Sequence, residues 1–481
     1  MKRALLLIIG LLLAADLAVL LIAPPSPQSG NSWPLILSVA RGQGYALCDD
    51  SYFPFCKAAG PATAQREPLP VLAFAALALV TGESLWAAAL FQVAVHAAIA
   101  IAVFRVATML ADRRTALLAA MMWAVYLPAM TLVNSVGGDL LATLFTTLGF
   151  ALLLDSRQPL GAWLGAGLCF GLAALSRSVI MALTFPLVVA SIPWKRLRTG
   201  PLRQFVFRDL RGAAVFTIVF LAVLSPWVIR NYLLFDRVVI GTTLVGYNLY
   251  RHNAVIQTDD YLRYVGPEEA EAEVKALLAR RPNLLGTEDE AQMDRFYRGE
   301  ALDIITTYPF RYLRLSAYRF FALWFDWGIP EAYGERRSGW DQVMVLQQAL
   351  LLVAAVVGAR KTGPRGGLLA AGILLVVLLH LGVNGRLRFL QVVMPVTVAL
   401  GAIGVVVIYR WLTVTWSSAR RRWEGRSPFP EGEPLGGGVS DQRRREGAQR
   451  SGEPVVDAGQ HLQRDESRAK TPQSPERGEK G

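Results

Sequence analysis

The feature that most constrains this chain is the grouping of its apolar residues into long blocks, each near the length of a bilayer's hydrocarbon core. A helix rises about 1.5 Å per residue, so about 20 apolar residues cross roughly 30 Å of hydrocarbon. These blocks are apolar all round rather than striped, and a helix built from one has no polar face to turn to water. Hydrophobic residues make up 53% of the 481 and charged residues only 18%, too little polar surface to cover a soluble domain of this size.

The first block, Ala4 to Ile22, follows Met1-Lys2-Arg3. A signal peptide is the alternative reading, but the block is long for one, contains Asp16 and ends in Pro24-Pro25-Ser26-Pro27, a poor cleavage site. A retained span fits better. Further spans are expected near 84–108, 115–135, 139–154, 161–176, 178–194, 212–229, 341–358, 367–384 and 390–409. The fold class is therefore an all-α polytopic membrane protein of about ten transmembrane helices, with outer juxtamembrane helices and a small non-cytoplasmic domain. The small residues of Gly165-Ala166-Gly167-Leu168-Cys169-Phe170-Gly171 are read as a close helix-packing surface rather than a dinucleotide loop.

Basic clusters orient the blocks. Arg113-Arg114, Arg157, the run Lys195 to Arg211, Arg360-Lys361 and Arg365 mark cytoplasmic loops, so the net charge of +12 reads as the positive-inside pattern and not as a nucleic-acid surface. Both termini then lie inside. The outer side receives the loop 24–82, the turn Gly137-Gly138-Asp139, and the stretch from Arg230 to about Trp340. Two apolar stretches are set on the outer membrane surface instead of across it: Pro68 to Gly82, which is short, and Phe310 to Trp327, which carries Arg311, Arg314 and Arg319. Four regions follow: a transmembrane module over 1–229 with its outer loop 24–82, an outer domain over 230–340, C-terminal transmembrane helices over 341–410, and a tail over 411–481. The tail is rich in Gly, Pro, Ser, Glu, Gln and Arg, a composition expected to be disordered in the cytoplasm.

Cys48 and Cys56 share the first outer loop, where the oxidising side permits a disulfide around Asp49, Asp50 and Tyr52. Two free thiols or a metal-binding pair are the alternatives, the latter weakened by the lack of nearby histidine. Cys169, inside a span, is read as a packing residue.

No motif of a soluble enzyme appears, and the polar residues carry the information instead. Asp139, Arg177, Arg230, Asn231, Arg386 and Arg388 all fall at outward ends of expected spans, and Arg66-Glu67 and Asp49-Asp50 join them from the first loop. Any one of them is explained by snorkelling to the interface. Collected on one face, they suit a cavity where arginine holds a lipid-borne anion and a carboxylate does acid–base work.

Several motifs carry a resemblance: Arg66-Glu67-Pro68-Leu69-Pro70, Asp112-Arg113-Arg114, the outward Asp139, Gly171-Leu172-Ala173-Ala174-Leu175-Ser176-Arg177, and Ser225-Pro226-Trp227-Val228-Ile229-Arg230-Asn231-Tyr232. Over roughly residues 1–410 the chain resembles bacterial GT-C glycosyltransferases of the family 39 type, related to protein O-mannosyltransferases and the lipid A aminoarabinose transferase. The resemblance implies transfer of a sugar from a polyprenyl-phosphate carrier to a lipid, glycan or protein acceptor on the outer face of the bacterial cytoplasmic membrane. It implies no cofactor; a divalent metal is compatible but not indicated.

By the same resemblance a carboxylate in the first outer loop is the base. Family members carry Asp-Glu just after the first span, where this chain has Gly30-Asn31-Ser32-Trp33. Asn31 cannot take a proton, so the base is sought at Asp50, Asp49 or Asp139. Arg66 and Glu67 are assigned to the substrate cavity, and Arg177, Arg230 with Asn231, and Arg388 to the carrier phosphate. Acceptor recognition falls to the outer domain from Gly241 to Ile305. His252 there is read as a hydrogen-bonded loop residue rather than a base, and His96 and His380 as polar residues within spans. Two other classes compete. One is a transporter or flippase of lipid-linked sugar, disfavoured by the absence of a visible repeat. The other is a non-catalytic assembly protein, suggested by Asn31.

Overall fold

The structure is a computed structural model describing residues 2–27, 32–47, 62–155, 159–192, 210–282, 289–334 and 338–424. The expected all-α class is what forms. Among the described residues there is no strand, and the one β-type pairing is a bridge between Ala46 and Ala62. Residues 1–420 make one compact unit.

The helices are α1 (Lys2–Ile22), α2 (Trp33–Ala40), α3 (Pro68–Thr81), α4 (Leu85–Leu110), α5 (Arg113–Ala124), α6 (Leu127–Met130), α7 (Asp139–Leu153), α8 (Leu160–Ser176) and α9 (Val179–Ser191). After them come α10 (Arg211–Phe235), α11 (Val245–Asn253), α12 (Pro267–Ala279), α13 (Glu290–Thr307), α14 (Pro309–Phe325), α15 (Ile329–Ala332), α16 (Gly339–Lys361), α17 (Gly363–Leu381) and α18 (Met394–Glu424).

Each of the ten expected spans coincides with helix. Among the described residues, six helical runs are long and apolar enough to cross a membrane: α1, α4, α10, α16, α17 and Leu387–Ser418. The other four are shorter. Expected span 115–135 breaks into α5 and α6 at Tyr126, two residues ahead of Pro128, because proline has no amide to bond the carbonyl four residues back and its ring crowds that carbonyl. Spans 139–154, 161–176 and 178–194 become α7, α8 and α9 of 15, 17 and 13 residues. α18 continues past residue 410 to Glu424, through the helix-compatible run Trp411-Leu412-Thr413-Val414-Thr415-Trp416; the rest of the expected tail lies outside the described residues.

Helix starts follow local chemistry. Asp112 caps α5 by accepting from the Arg114 and Thr115 amides at 2.8 and 3.0 Å, and Ser338 with Asp341 closes a capping box on α16. Small residues set the close crossings. A methyl on Gly167 would lie 2.6 Å from the Phe216 carbonyl, and one on Gly171 2.8 Å from Val223 Cβ; α8 and α10 therefore meet backbone to side chain, as the Gly165–Gly171 run predicts. Within the bundle, fully buried Asp16 of α1 holds His96 of α4 at 2.8 Å.

A separate core gathers α11, α12 and α13 around Tyr247, Tyr250, Val274, Leu278, Met293 and Tyr297. Tyr247 and Tyr297 meet edge to face at 5.5 Å, and side chains of this size contribute about 1.5–3 kcal/mol each when fully buried. α14 joins this core to the bundle. Of its three expected surface arginines, Arg319 instead turns inward. It donates to Asn253 Oδ1 at 3.1 Å, to the Leu381 and Gly382 carbonyls at 3.2 Å, and to the His252 carbonyl. Buried charge is tolerated when it is met by hydrogen bonds in this way.

Candidate functional site

Three helix ends meet at one end of the bundle: the start of α3, the start of α7 and the end of α8. Gly138 shows how closely they approach, since a methyl there would lie 2.7 Å from Pro70 Cγ and overlap the Ser176 carbonyl. Only glycine fits. The next residue, Asp139, opens α7, where the helix dipole favours an anion. Arg177 ends α8 in extended conformation and pairs with Asp139 at 3.2 Å. At 20% and 13% exposure both side chains remain reachable by a ligand. Asp139 Oδ1 is the oxygen that faces Arg177, and it makes no well-aligned hydrogen bond among the described residues, so the ion pair is its one close partner there.

Glu67, immediately before α3, accepts from the Ser178 amide at 3.0 Å and its hydroxyl at 2.7 Å. That carboxylate thus orders the 176–178 turn that carries Arg177. The 3-10 stretch Leu387–Val393 closes the other side: Arg177 and Arg388 lie 5.2 and 5.3 Å from the Phe389 ring, on which His380 also stacks at 5.1 Å. Arg388 is exposed. The structure therefore brings together Glu67, Asp139, Arg177 and Arg388 from four separate segments.

Arg230 does something different. Its guanidinium donates to the Thr63 carbonyl at 2.8 Å, to Asn231 Oδ1 at 2.9 Å and to the Tyr45 carbonyl at 3.2 Å. It also lies 5.2 and 4.9 Å from the Tyr45 and Trp227 rings. Trp227 donates to the Gly241 carbonyl and Asn231 to that of Val239. The Pro-Trp-x-x-Arg-Asn motif is thus a clasp that binds the first loop to the chain leaving α10. Tyr45 extends the clasp to the site, donating to the Arg66 carbonyl at 2.8 Å, and burial pushes its phenol well above the usual tyrosine range.

Glu290, which nothing in the sequence singled out, anchors the same loop from α13. It accepts from the Ala64 amide and the Thr243 hydroxyl, both at 2.9 Å. Burial raises its carboxyl above the ordinary range despite those donors. Asp294, one turn on, accepts from the Gly246 amide at 2.5 Å and from Arg298 at 2.8 Å, and burial raises it likewise. His252 is buried, receives Asn384 Nδ2 at 2.8 Å and is held well below the usual histidine range by burial and by Arg251 and Arg319. It is a neutral, hydrogen-bonded residue.

The remaining candidates, Asp49, Asp50 and the Cys48–Cys56 pair, lie outside the described residues, as does Asn31. The segment 48–61 leaves and rejoins the described chain beside the Ala46–Ala62 bridge, next to the Arg230 clasp. Among the described residues no group of three or more His, Cys, Asp or Glu could hold a metal ion.

Residues 65–229 match the family described as dolichyl-phosphate-mannose-protein mannosyltransferase. The matched segment holds Arg66, Glu67, Asp139 and Arg177, and over it the resemblance to GT-C membrane glycosyltransferases is borne out. Among solved structures, the chain is similar to the archaeal oligosaccharyltransferase AglB from Archaeoglobus fulgidus in complex with an inhibitory peptide and a dolichol-phosphate. The identity is 13% and the TM-score 0.46, covering 86% of this chain and 52% of that one. The apo oligosaccharyltransferase of the same organism gives 13%, a TM-score of 0.48 and the same coverage. Its form tethered to an acceptor peptide gives 14% and 0.47, with 85% and 50% covered. This chain thus spans about half the length of these structures. No curated protein matches it.

Proposed function

We propose that this protein is a membrane glycosyltransferase that moves a sugar from a polyprenyl-phosphate carrier to an acceptor, in a cavity at the non-cytoplasmic surface of a bacterial cytoplasmic membrane. The observation that carries this reading is the Asp139–Arg177 pair, set at a junction of three helix ends inside the segment that matches a lipid-phosphate-sugar-dependent family.

The chemistry follows from the pair. An acceptor hydroxyl attacks the anomeric carbon as the bond to the phosphate oxygen breaks, and a carboxylate takes the hydroxyl proton. Polyprenyl phosphate leaves with the bonding electrons, and its growing negative charge needs fixed cations. Arg177 and the exposed Arg388, flanking Phe389, fill that role. A donor phosphate that draws Arg177 to itself also frees Asp139 to act as base, so donor binding arms the site. Asp50 and Asp49 in the first loop are the other candidates for that base. Arg66, Glu67, Arg230 and Asn231 position the cavity walls, and the 241–305 region receives the acceptor.

The test is release of polyprenyl phosphate from a polyprenyl-phosphate sugar by purified protein in lipid nanodiscs. Release is expected from the wild type and not from Asp139→Asn or Asp50→Asn, whichever carries the proton. Absence of release with every acceptor class would sink the enzyme reading, and wild-type rates in both variants would remove these carboxylates. The buried Asp16–His96 pair is what a proton-coupled transporter of lipid-linked sugar would use. Translocation without release would favour that reading.

A further inference from the structure

A second cavity lies beyond the C-terminal end of α10, with its Gly241 wall against Ser178, the neighbour of Arg177. It has a volume of about 280 Å³ and is walled by the returning chain from Arg237 to Val245 and by Ala291, Asp294, Arg295 and Arg298 of α13. Three of these side chains are arginines against one acid. Asp294 is already spent on Arg298 and on the Gly246 and Tyr247 amides. Arg237 and Arg295 have no acidic partner within 4 Å among the described residues and border a neighbouring cavity as well, whose wall includes Glu300 and Asp303. Arg295 and Arg298, three apart on one helix face, repel each other unless an anion lies between them.

The apolar rim says where that anion comes from. Val238 is 67% exposed and Ile240 49%, and they continue the exposed face of α10 through Ile229, Tyr232 and Leu233. α10 is long and apolar enough to cross a membrane, and Arg237 follows its last residue, Phe235, by two positions. The arginines thus sit where a span gives way to headgroups, with apolar side chains on the acyl side. Small-molecule pockets start at about 300 Å³, so a cavity of this size suits one phosphodiester headgroup better than an oligosaccharide.

We propose that the Arg237–Arg295–Arg298 cavity binds the headgroup phosphate of an anionic phospholipid, with Val238 and Ile240 inserted beside its acyl chains. Most of its wall falls in the 241–305 region assigned to the acceptor, and lipid binding there needs no turnover. It would steady the outer domain on the membrane, since the 237–245 chain also hands Thr243 to Glu290.

The experiment uses the full chain in neutral detergent, titrated with phosphatidylglycerol, with phosphatidylcholine and with inorganic phosphate, and reads the thermal unfolding midpoint. Phosphatidylglycerol alone is expected to raise it. In the Arg237→Gln/Arg295→Gln variant the concentration needed rises roughly tenfold or more, since each basic residue near an anionic surface is worth about a factor of five. Lys275→Gln/Arg280→Gln, on α12 and at its C-terminal cap, removes the same two charges and keeps the wild-type response. Equal responses in the double variant and wild type would overturn the proposal, as would equal stabilisation by inorganic phosphate, which would mark a free-anion site. No response of the wild type to phosphatidylglycerol would also overturn it. None of these outcomes depends on polyprenyl-phosphate release.

Discussion

Arg177 and Asp139 face each other at 3.2 Å where the end of α8 meets the start of α7. If the pair works as proposed, its two halves fail differently. Asp139→Asn keeps the shape and removes the proton acceptor, so kcat should fall by about 10²–10⁴ with little change in KM for the carrier. Arg177→Gln should chiefly raise KM for the phosphate-bearing donor. Steady-state release of polyprenyl phosphate checks both, and a kcat within threefold or so of wild type in Asp139→Asn would move the base elsewhere.

Arg230 should behave as a fold residue. It spends its donors on two distant carbonyls and on Asn231 while facing two aromatic rings. Charged hydrogen bonds contribute about 1.5–3 kcal/mol, so Arg230→Ala is expected to cost about 3 kcal/mol. Lysine cannot span both carbonyls and cover a ring. Thermal unfolding of Arg230→Ala and Arg230→Lys should therefore show similar losses; full rescue by lysine would return Arg230 to the list of simple phosphate cations.

The clasp also marks how far the sequence could be read. Apolar blocks are local, so each expected span coincides with helix, and charges at block ends pointed to Asp139 and Arg177, which the fold pairs at 3.2 Å. Partners are not local. Arg230 lies 167 residues from Thr63 and 185 from Tyr45, and Glu290 lies 226 from Ala64. No periodicity encodes such pairings, which is why Arg230 read as a ligand residue and Glu290 was not singled out. Arg319 misled for a similar reason. Its composition says interface, while carbonyls at the end of α17 draw it inward.

Two buried groups predict opposite pH effects. Glu290 is raised by burial from an ordinary value of 4.5. Below that value both folded and unfolded chains hold its proton. As pH rises, the unfolded chain ionises first, so this group's stability is lost as pH climbs to the folded value. His252 is lowered from 6.5; its stability is intact above 6.5 and lost as pH falls, because the unfolded chain takes the proton first. Thermal midpoints measured against pH should accordingly flatten on the acid side of neutrality in His252→Gln. Just above the carboxylate range they should flatten in Glu290→Gln. Parallel curves for wild type and both variants would contradict the burial of these groups.

The glycines before Asp139 offer the sharpest contrast. A methyl on Gly138 meets Pro70 Cγ at 2.7 Å and overlaps the Ser176 carbonyl, whereas one on Gly137 finds only Ser135 and Asp139 side-chain oxygens at 3.7 and 3.8 Å. Forcing atoms into packed space costs about 1–3 kcal/mol, and here the strain is relieved by parting α7 from α8, which pulls Asp139 off Arg177. Gly138→Ala should thus lower both the unfolding midpoint and the release rate, while Gly137→Ala, one residue away in the same turn, leaves both near wild type. The activity loss in Gly138→Ala should exceed what its unfolded fraction explains at the assay temperature, because geometry at the pair is disturbed in the folded molecules too. An alanine at 138 that leaves release unchanged would mean that the helix junction does not set the reacting geometry.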